Sequence, residues 1–346
     1  MVSTAASGKS NRVYRPEGGS SLALGAHGSS AFITEASTDW ELEDVKLTFA
    51  LGSLRLAALR LRLHRRSASL AEPALGPADD PAPPASLKGA VGYVVWSQPM
   101  ATRVPPIRWR ERSLVYVPRQ YRRFLIDLAG DFDSYLARFS AKTRSTIKRK
   151  LRRFADACGG TIDAREYRTP AEIAEFLTLA HEVSAKSYQA RLLDMGLPEG
   201  ADFCGAAQRL AEKDMLRAYL LFFKGKPISY LFCPISDGIV LYDYVGYDPA
   251  HAEFSPGMIL QVEALKALFA EKQHRLFDFT EGEGAHKKLF ATHDVLCADV
   301  FVIQRRPIAS ASIILHRSHV AVVSALGAFF DRMGLRARLR RLLRSR

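Results

Sequence analysis

IVLYDYVGYDPAHAEFSPGMILQVEALKALFAEKQHRLFDFT, residues 239–280, decides how the rest of the chain is read. It opens on an aromatic and β-branched run, crosses a polar loop, and continues as an apolar stretch too long for a strand. It closes on a second short apolar run. A strand, a helix and a strand in that order form a right-handed crossover, so the two strands lie parallel. Just upstream, RAYLLFFK (217–224) and ISYLFCPI (228–235) are joined by Gly225-Lys226-Pro227, and the second meets IVLYDYVGY through Ser236-Asp237-Gly238. Tight polar turns between apolar runs predict an antiparallel meander of three strands.

Further towards the N-terminus, FLIDL (124–128) reads as a buried strand. DFDSYLARF and AKTRSTIKRKLRRFADACG read as two helices separated near Ser140. In the second helix Ile147, Leu151 and Phe154 form one apolar stripe, and Lys142, Arg144, Lys148, Arg149, Lys150, Arg152 and Arg153 occupy the rest. A strand (TIDAREY), a helix opening at Thr169-Pro170 and running to about Tyr188, and a shorter helix from about Ala201 to Lys213 follow. After the crossover unit come a short helix over 285–291 and a last strand, VLCADVFVI.

The flanks are less regular. Residues 1–30 are rich in Ser, Gly and Ala and predict a disordered tail. EPALGPADDPAPPAS, residues 72–86, predicts an exposed Pro-rich loop. Between them, Leu and Arg alternate from Leu59 to Leu63, as in a strand with one wet face. At the other end, MGLRARLRRLLRSR (333–346) spaces its arginines and leucines as a basic amphipathic helix. Such a helix suits an anionic membrane surface, or the body of the protein with its charges in water. The apolar stretch Ile308 to Phe330 carries His316, Arg317 and His319 in its middle, which argues against a membrane span.

Lys and Arg number 49 against 36 Asp and Glu, a net +13 that implies an anionic partner: a nucleotide, a nucleic acid or an acidic membrane surface. Cys158, Cys204, Cys233 and Cys297 show neither zinc spacing nor a disulfide framework, so no metal is expected and a reducing cytoplasm fits. The first residues lack the apolar core of a signal peptide. TEGEGAHKK lacks P-loop spacing, and its glutamates and histidine lack a zinc-helix arrangement.

The element order over about residues 160–304 resembles the GNAT acyltransferase fold. Within it, DFDSYLARFSAKTRSTIKRKLRRF, YDPAHAEFSPGMIL and FDFTEGEGAHKKLF resemble the CelD-like acetyltransferases associated with exopolysaccharide genes, which are themselves similar to Fem-type aminoacyl transferases. The resemblance implies a mixed α/β (α+β) protein whose mostly antiparallel sheet contains a splayed parallel strand pair. The catalytic domain would cover 122–304 and a degenerate GNAT-like half 31–121, with basic amphipathic helices over 305–346. The implied activity is acyl-CoA-dependent N-acyl transfer, foremost from acetyl-CoA, to an amine on a small molecule, a sugar or a lipid-linked cell-envelope precursor. The enzyme would work in the cytoplasm, with its C-terminal helix at the inner face of the membrane. Two alternatives stay open: a Fem-like enzyme taking its acyl group from aminoacyl-tRNA, which residues 138–153 with eight basic side chains would grip, and a non-catalytic nucleic-acid or membrane binder.

The chemistry of individual residues fits the resemblance. A helix N-terminus preceded by small residues can hold a pyrophosphate without a metal, and Ser255, Pro256, Gly257 and Met258 stand at such a start. The general GNAT pattern has Arg or Gln and a first glycine where this chain has Ala252 and Ser255, and the same Ser-Pro-Gly would also serve as a plain helix cap. Val245 and Gly246, on the strand whose partner splays away, complete the implied donor-binding set. Alternation puts Leu276, Asp278 and Thr280 on one face of the second strand. On the first, it puts Tyr242 and Tyr244 on one side and Asp243 and Tyr247 on the other. A carboxylate inside a central strand is costly unless it is paired or faces a cleft, so Asp278 and Asp243 are candidates for the acceptor site. Glu283 falls where the family carries an acidic residue and is the candidate base. Lys287 matches a family lysine, and His286 replaces the tyrosine before it. Tyr244 or Tyr247 would protonate the leaving thiolate. Each also has a plainer reading: Asp278 as a cap, Glu283 and Lys287 as solvated loop charges, His286 as a partly buried histidine.

Overall fold

The computed structural model describes residues 40–51, 54–187, 196–282 and 284–332. The expected tail over 1–30, the candidate base Glu283 and the basic helix over 333–346 lie outside the described residues. Among those described, twelve strands form one sheet, ordered β1-β2-β3-β12-β5-β11-β9-β8-β7-β6, with β4 added to β5 and β10 added to β8.

The N-terminal half supplies β1 (Glu41–Leu51), β2 (Leu54–Ser67), β3 (Gly92–Pro99), β4 (Ile107–Trp109) and β5 (Ser113–Asp127). β1 and β2 form an antiparallel hairpin, and β2 runs parallel to β3. The helices separated at Ser140 are α1 (Phe132–Ala137) and α2 (Ala141–Ala157), and the Ser140 hydroxyl accepts from the Thr143 amide as an N-cap. After β6 (Asp163–Tyr167), helix α3 (Pro170–Lys186) opens on a capping box made by Thr169 and Glu172, with Pro170 in its first turn. Helix α4 (Ala201–Glu212) precedes the meander of β7 (Leu216–Phe223) and β8 (Lys226–Ser236). The chain then forms helix α5 (Pro256–Glu271), strand β11 (Leu276–Asp278), helix α6 (Ala285–Phe290), strand β12 (His293–Gln304) and helix α7 (Pro307–Arg332).

The third run of the meander departs from simple alternation. It splits into β9 (Ile239–Leu241) and β10 (Tyr244–Tyr247). The Asp243 amide donates to the Phe232 carbonyl at 3.3 Å, and Tyr244 is also registered opposite Phe232. Two residues facing one make a bulge, and a bulge reverses the faces beyond it. Tyr242 therefore packs against Phe277 and Phe279, while Tyr244 packs between Phe203 and Phe232 on the other side of the sheet. The expectation that Tyr242 and Tyr244 share a side is corrected by that one extra residue.

The bulge also opens the sheet. β9 runs parallel to β11, with Phe277 beside Val240 and Asp278 beside Leu241, and the Tyr242 amide makes the last bond across, to the Asp278 carbonyl at 2.8 Å. Beyond it β10 pairs only with β8, and the backbone of β11 turns away at Thr280. The strands are parallel, as expected from the crossover, and splayed, as the resemblance implies; the fold is mixed α/β with a mostly antiparallel sheet.

One face of the sheet is covered by α1, α2, α5 and α6, whose Tyr135, Ile147, Phe154, Leu265, Phe269 and Phe290 share a core with Phe277 and Phe279. Helix α5 buries residues all round, from Ile259 and Leu260 to Leu268 and Phe269. Each such side chain contributes about 1.5–3 kcal/mol on leaving water. Its C-terminal end is tied to β7 by the fully buried Arg217, which pairs with Glu271 and Asp214. Helices α3 and α4 cover the other face over β7, β8 and β10.

Candidate active site

The mouth of the splay lies between the start of α5 and the chain that follows β11. Ser255, the residue before α5, has left-handed backbone (φ 58°, ψ 54°) and makes no side-chain cap. Its hydroxyl instead accepts from Lys150 Nζ at 2.9 Å. Lys150 reaches in from α2, and burial, followed by the neighbouring Arg149, lowers its pKa. A partly buried ammonium held beside the N-terminal turn of a helix adds a full charge to the dipole there; Pro256 has no N–H, and the Met258 and Ile259 amides already bond the Ser255 carbonyl. Gly257, one residue into α5, leaves the approach open: an added Cβ would meet only the Tyr247 ring, at 3.9 Å.

Val245 and Gly246 lie on β10, which has no strand on its other edge among the described residues. A strand with one vacant edge can bind an extended chain through its amides and carbonyls. Gly246 admits no side chain, since a Cβ would stand 2.4 Å from the Tyr230 ring. Tyr247 is 42% exposed on this face, whereas Tyr244 is buried on the opposite one. Asp243 is half-buried in the bulge; burial, and then its charge, push the Cys233 thiol well above the ordinary range.

Across the mouth, Asp278 is fully buried and ion-paired to Arg123 of β5, itself almost wholly buried. The second carboxylate oxygen accepts from the Thr280 amide at 2.7 Å. Thr280 has φ 58°, and a β-branched residue there is strained by about 1–3 kcal/mol. Asp278 thus holds the chain in the turn by which it leaves the strand. Lys287, on α6, closes the same loop from the other end by donating to the carbonyls of Phe279 (2.6 Å) and Glu281 (2.7 Å). Arg119 of β5 adds a third tie, pairing with the Glu281 carboxylate at 2.8 Å and with the buried Asp299 at 2.6 Å. Glu283 follows directly in sequence.

His286 donates from Nε2 to the Gln261 side-chain oxygen, bridging α6 to α5, and its ring lies 4.9 Å from that of Phe290. Burial, then the Lys287 and Lys150 charges, push its pKa down to about 4. A shift in that direction favours the uncharged imidazole, whose Nε2–H fastens two helices. Burial likewise brings Lys287 down to about 8, against the opposing pull of Asp278 and Glu281. Above that pH its charge-assisted bonds to the loop weaken. We expect an alkaline fall in turnover near pH 8 that moves upward by more than one unit in Lys287→Arg, as measured by pH–rate profiles; an unmoved limb would assign it to another group.

The structure therefore brings Ser255, Gly257, Tyr247 and the Lys287–His286 helix to one mouth, and places Asp278 behind it. Sequence reasoning missed Lys150, Arg119, Arg123 and Gln261. Lys150 had a signal: three residues after Ile147 and four before Phe154, it flanks the buried stripe of its helix. Among the described residues no three His, Cys, Asp or Glu converge as metal ligands would.

Residues 141–288 match the family model described as acetyltransferase (GNAT) domain. None of the curated proteins matches the sequence. Among solved structures, FemX is 10% identical and aligns over 86% of this chain and 96% of its own, with a TM-score of 0.47. L-PGS from Bacillus licheniformis is 13% identical over 67% of this chain and 74% of its own, with a TM-score of 0.44. A GCN5-related N-acetyltransferase from Kribbella flavida is 13% identical over 54% and 59%, with a TM-score of 0.31.

Proposed function

We propose, from the premise that residues 141–288 carry an acetyltransferase domain of the GNAT kind and the chain is an acyltransferase, that it moves an acyl group from acetyl-CoA or another acyl-CoA to an amine. The acceptor is an amino group of a sugar or of a cell-envelope or exopolysaccharide precursor, in keeping with the CelD-like motifs. The observation that supports the donor assignment is the half-buried Lys150, whose ammonium donates to the Ser255 hydroxyl beside the first turn of α5. Donor phosphates would bind there, and the acyl arm would lie along the vacant edge of β10 at Val245 and Gly246.

In the reaction the acceptor nitrogen attacks the thioester carbonyl carbon, the C–N bond forms, the C–S bond breaks, and the ammonium proton must leave. Glu283 takes that proton, in keeping with the acidic residue that the resemblance puts at this point of the chain. Tyr247, exposed beside Gly257, is placed to protonate the thiolate, whereas Tyr244 faces the opposite core. Glu283→Gln is expected to lower kcat by about 10²–10⁴-fold, the usual worth of a general base, with little change in acetyl-CoA binding. Normal turnover in that variant would remove the base assignment.

A second reading has one observation in its favour. Lys142, Lys148, Arg149, Arg152 and Arg153 of α2 are all exposed, a basic face long enough to follow a nucleic-acid backbone. It supports an aminoacyl-tRNA donor, with transfer to the same class of amine.

A further inference from the structure

Helix α7 turns His316 and His319 inward and leaves most of its large apolar side chains outward. His316 is fully buried; its Nε2–H donates to the Thr48 carbonyl at 3.3 Å and its Nδ1 accepts from the Tyr116 hydroxyl at 2.8 Å. His319 donates to the Ala50 carbonyl at 3.1 Å, and both rings pack on Phe49. Ala309 and Ile313 complete the docked face. The histidines that spoke against a membrane span in the sequence are thus the groups that fasten the helix to β1 and β5.

Its exposed large side chains are apolar, among them Ile308 (84% exposed), Leu315 (63%), Val322 (58%), Ile314 (43%) and Leu326 (41%), with Ser318 and Ser324 also exposed beside them. Past Val320, Ala321 and Ala325 are exposed as well. By length and composition Pro307–Leu326 would pass as a membrane span, with a mean hydropathy of 1.3. A soluble monomer rarely leaves so continuous an apolar surface in water. The sequence that follows carries seven arginines and a single acid, Asp331, within residues 331–346.

We infer that α7 docks the protein on an anionic lipid bilayer, its outward face and distal turns entering the apolar layer while the arginines of 332–346 bind the headgroups. An apolar surface followed at once by a polybasic segment is the pairing that such a surface recognises, each basic residue adding about 1 kcal/mol near anionic lipid. A second copy of the chain could cover the apolar residues, but seven like charges beside seven more would oppose that contact. The inference is independent of the acyl donor, and it would place the active site close to an acceptor anchored in lipid.

The test is flotation of the full-length protein with vesicles of phosphatidylcholine alone or with phosphatidylglycerol added. The wild type is expected to float with the anionic vesicles, at least tenfold less with the neutral ones, and less at high salt. The double variant Val322→Glu, Leu326→Glu is expected to lose vesicle binding by tenfold or more while keeping its unfolding transition and its soluble acyl-transfer rate. Equal flotation of variant and wild type would overturn the inference. So would a wild-type protein that ignores both vesicles and forms a dimer in sedimentation which the double substitution dissolves.

Discussion

Asp278→Ala is expected to lower the unfolding free energy by about 3–5 kcal/mol, the loss found when one partner of a buried ion pair is removed and the other stays behind. Arg123 is 4% exposed, and its guanidinium would be left in the sheet with no carboxylate. Burial alone would depress its pKa; Asp278 outweighs that and holds it above the ordinary value. The same substitution frees the Thr280 amide and lets the strained turn after β11 relax. Replacing both partners, Arg123→Met with Asp278→Leu, should recover most of the stability but not the turnover. Denaturant unfolding of the two variants checks this. A single variant losing less than about 1 kcal/mol would mean that the pair is not the keystone of the cleft.

Gly257→Trp is expected to weaken acetyl-CoA binding by about 100-fold or more, equivalent to about 2.7 kcal/mol, without unfolding the protein. The position is half-buried at the second residue of α5, and only the Tyr247 ring lies near an added side chain. Tryptophan is a better helix former than glycine, so the helix itself should not suffer. What an indole would do is occupy the space in front of the N-terminal amides and Lys150. Calorimetric titration with acetyl-CoA reads the effect directly. Unchanged affinity would remove the pyrophosphate site from the start of α5.

Much of this architecture could be read from residue pattern because the elements carry local signals that agree with the final packing. Thr169-Pro170 opens α3, Ser140 caps α2, and the turns at Gly225 and Gly238 fix the meander. The break in the third strand could not be read, because nothing in LYDYV marks a bulge; it arises where Tyr242 stays with β11 while Asp243 returns to β8. The candidate site was legible only in part. Ser255, Gly257 and Lys287 announced themselves by position in a motif, but Lys150, which bonds Ser255, and Arg119, which pairs with Glu281, come from remote segments, and pairing over such distances leaves no trace in one sequence. His286 shows the reverse: a position that the motif offers as a catalyst is held by the Gln261 side chain and packed against Phe290.

The central claim is that the mouth between α5 and β11 receives an acyl-CoA. It is tested most directly by measuring, on the purified full-length protein, binding of acetyl-CoA and of aminoacyl-tRNA side by side, with native mass spectrometry of whatever co-purifies. A CoA thioester bound one per chain, displaced by added CoA and lost in Gly257→Trp, is the predicted result. Tight binding of charged tRNA with no measurable affinity for acetyl-CoA would contradict it.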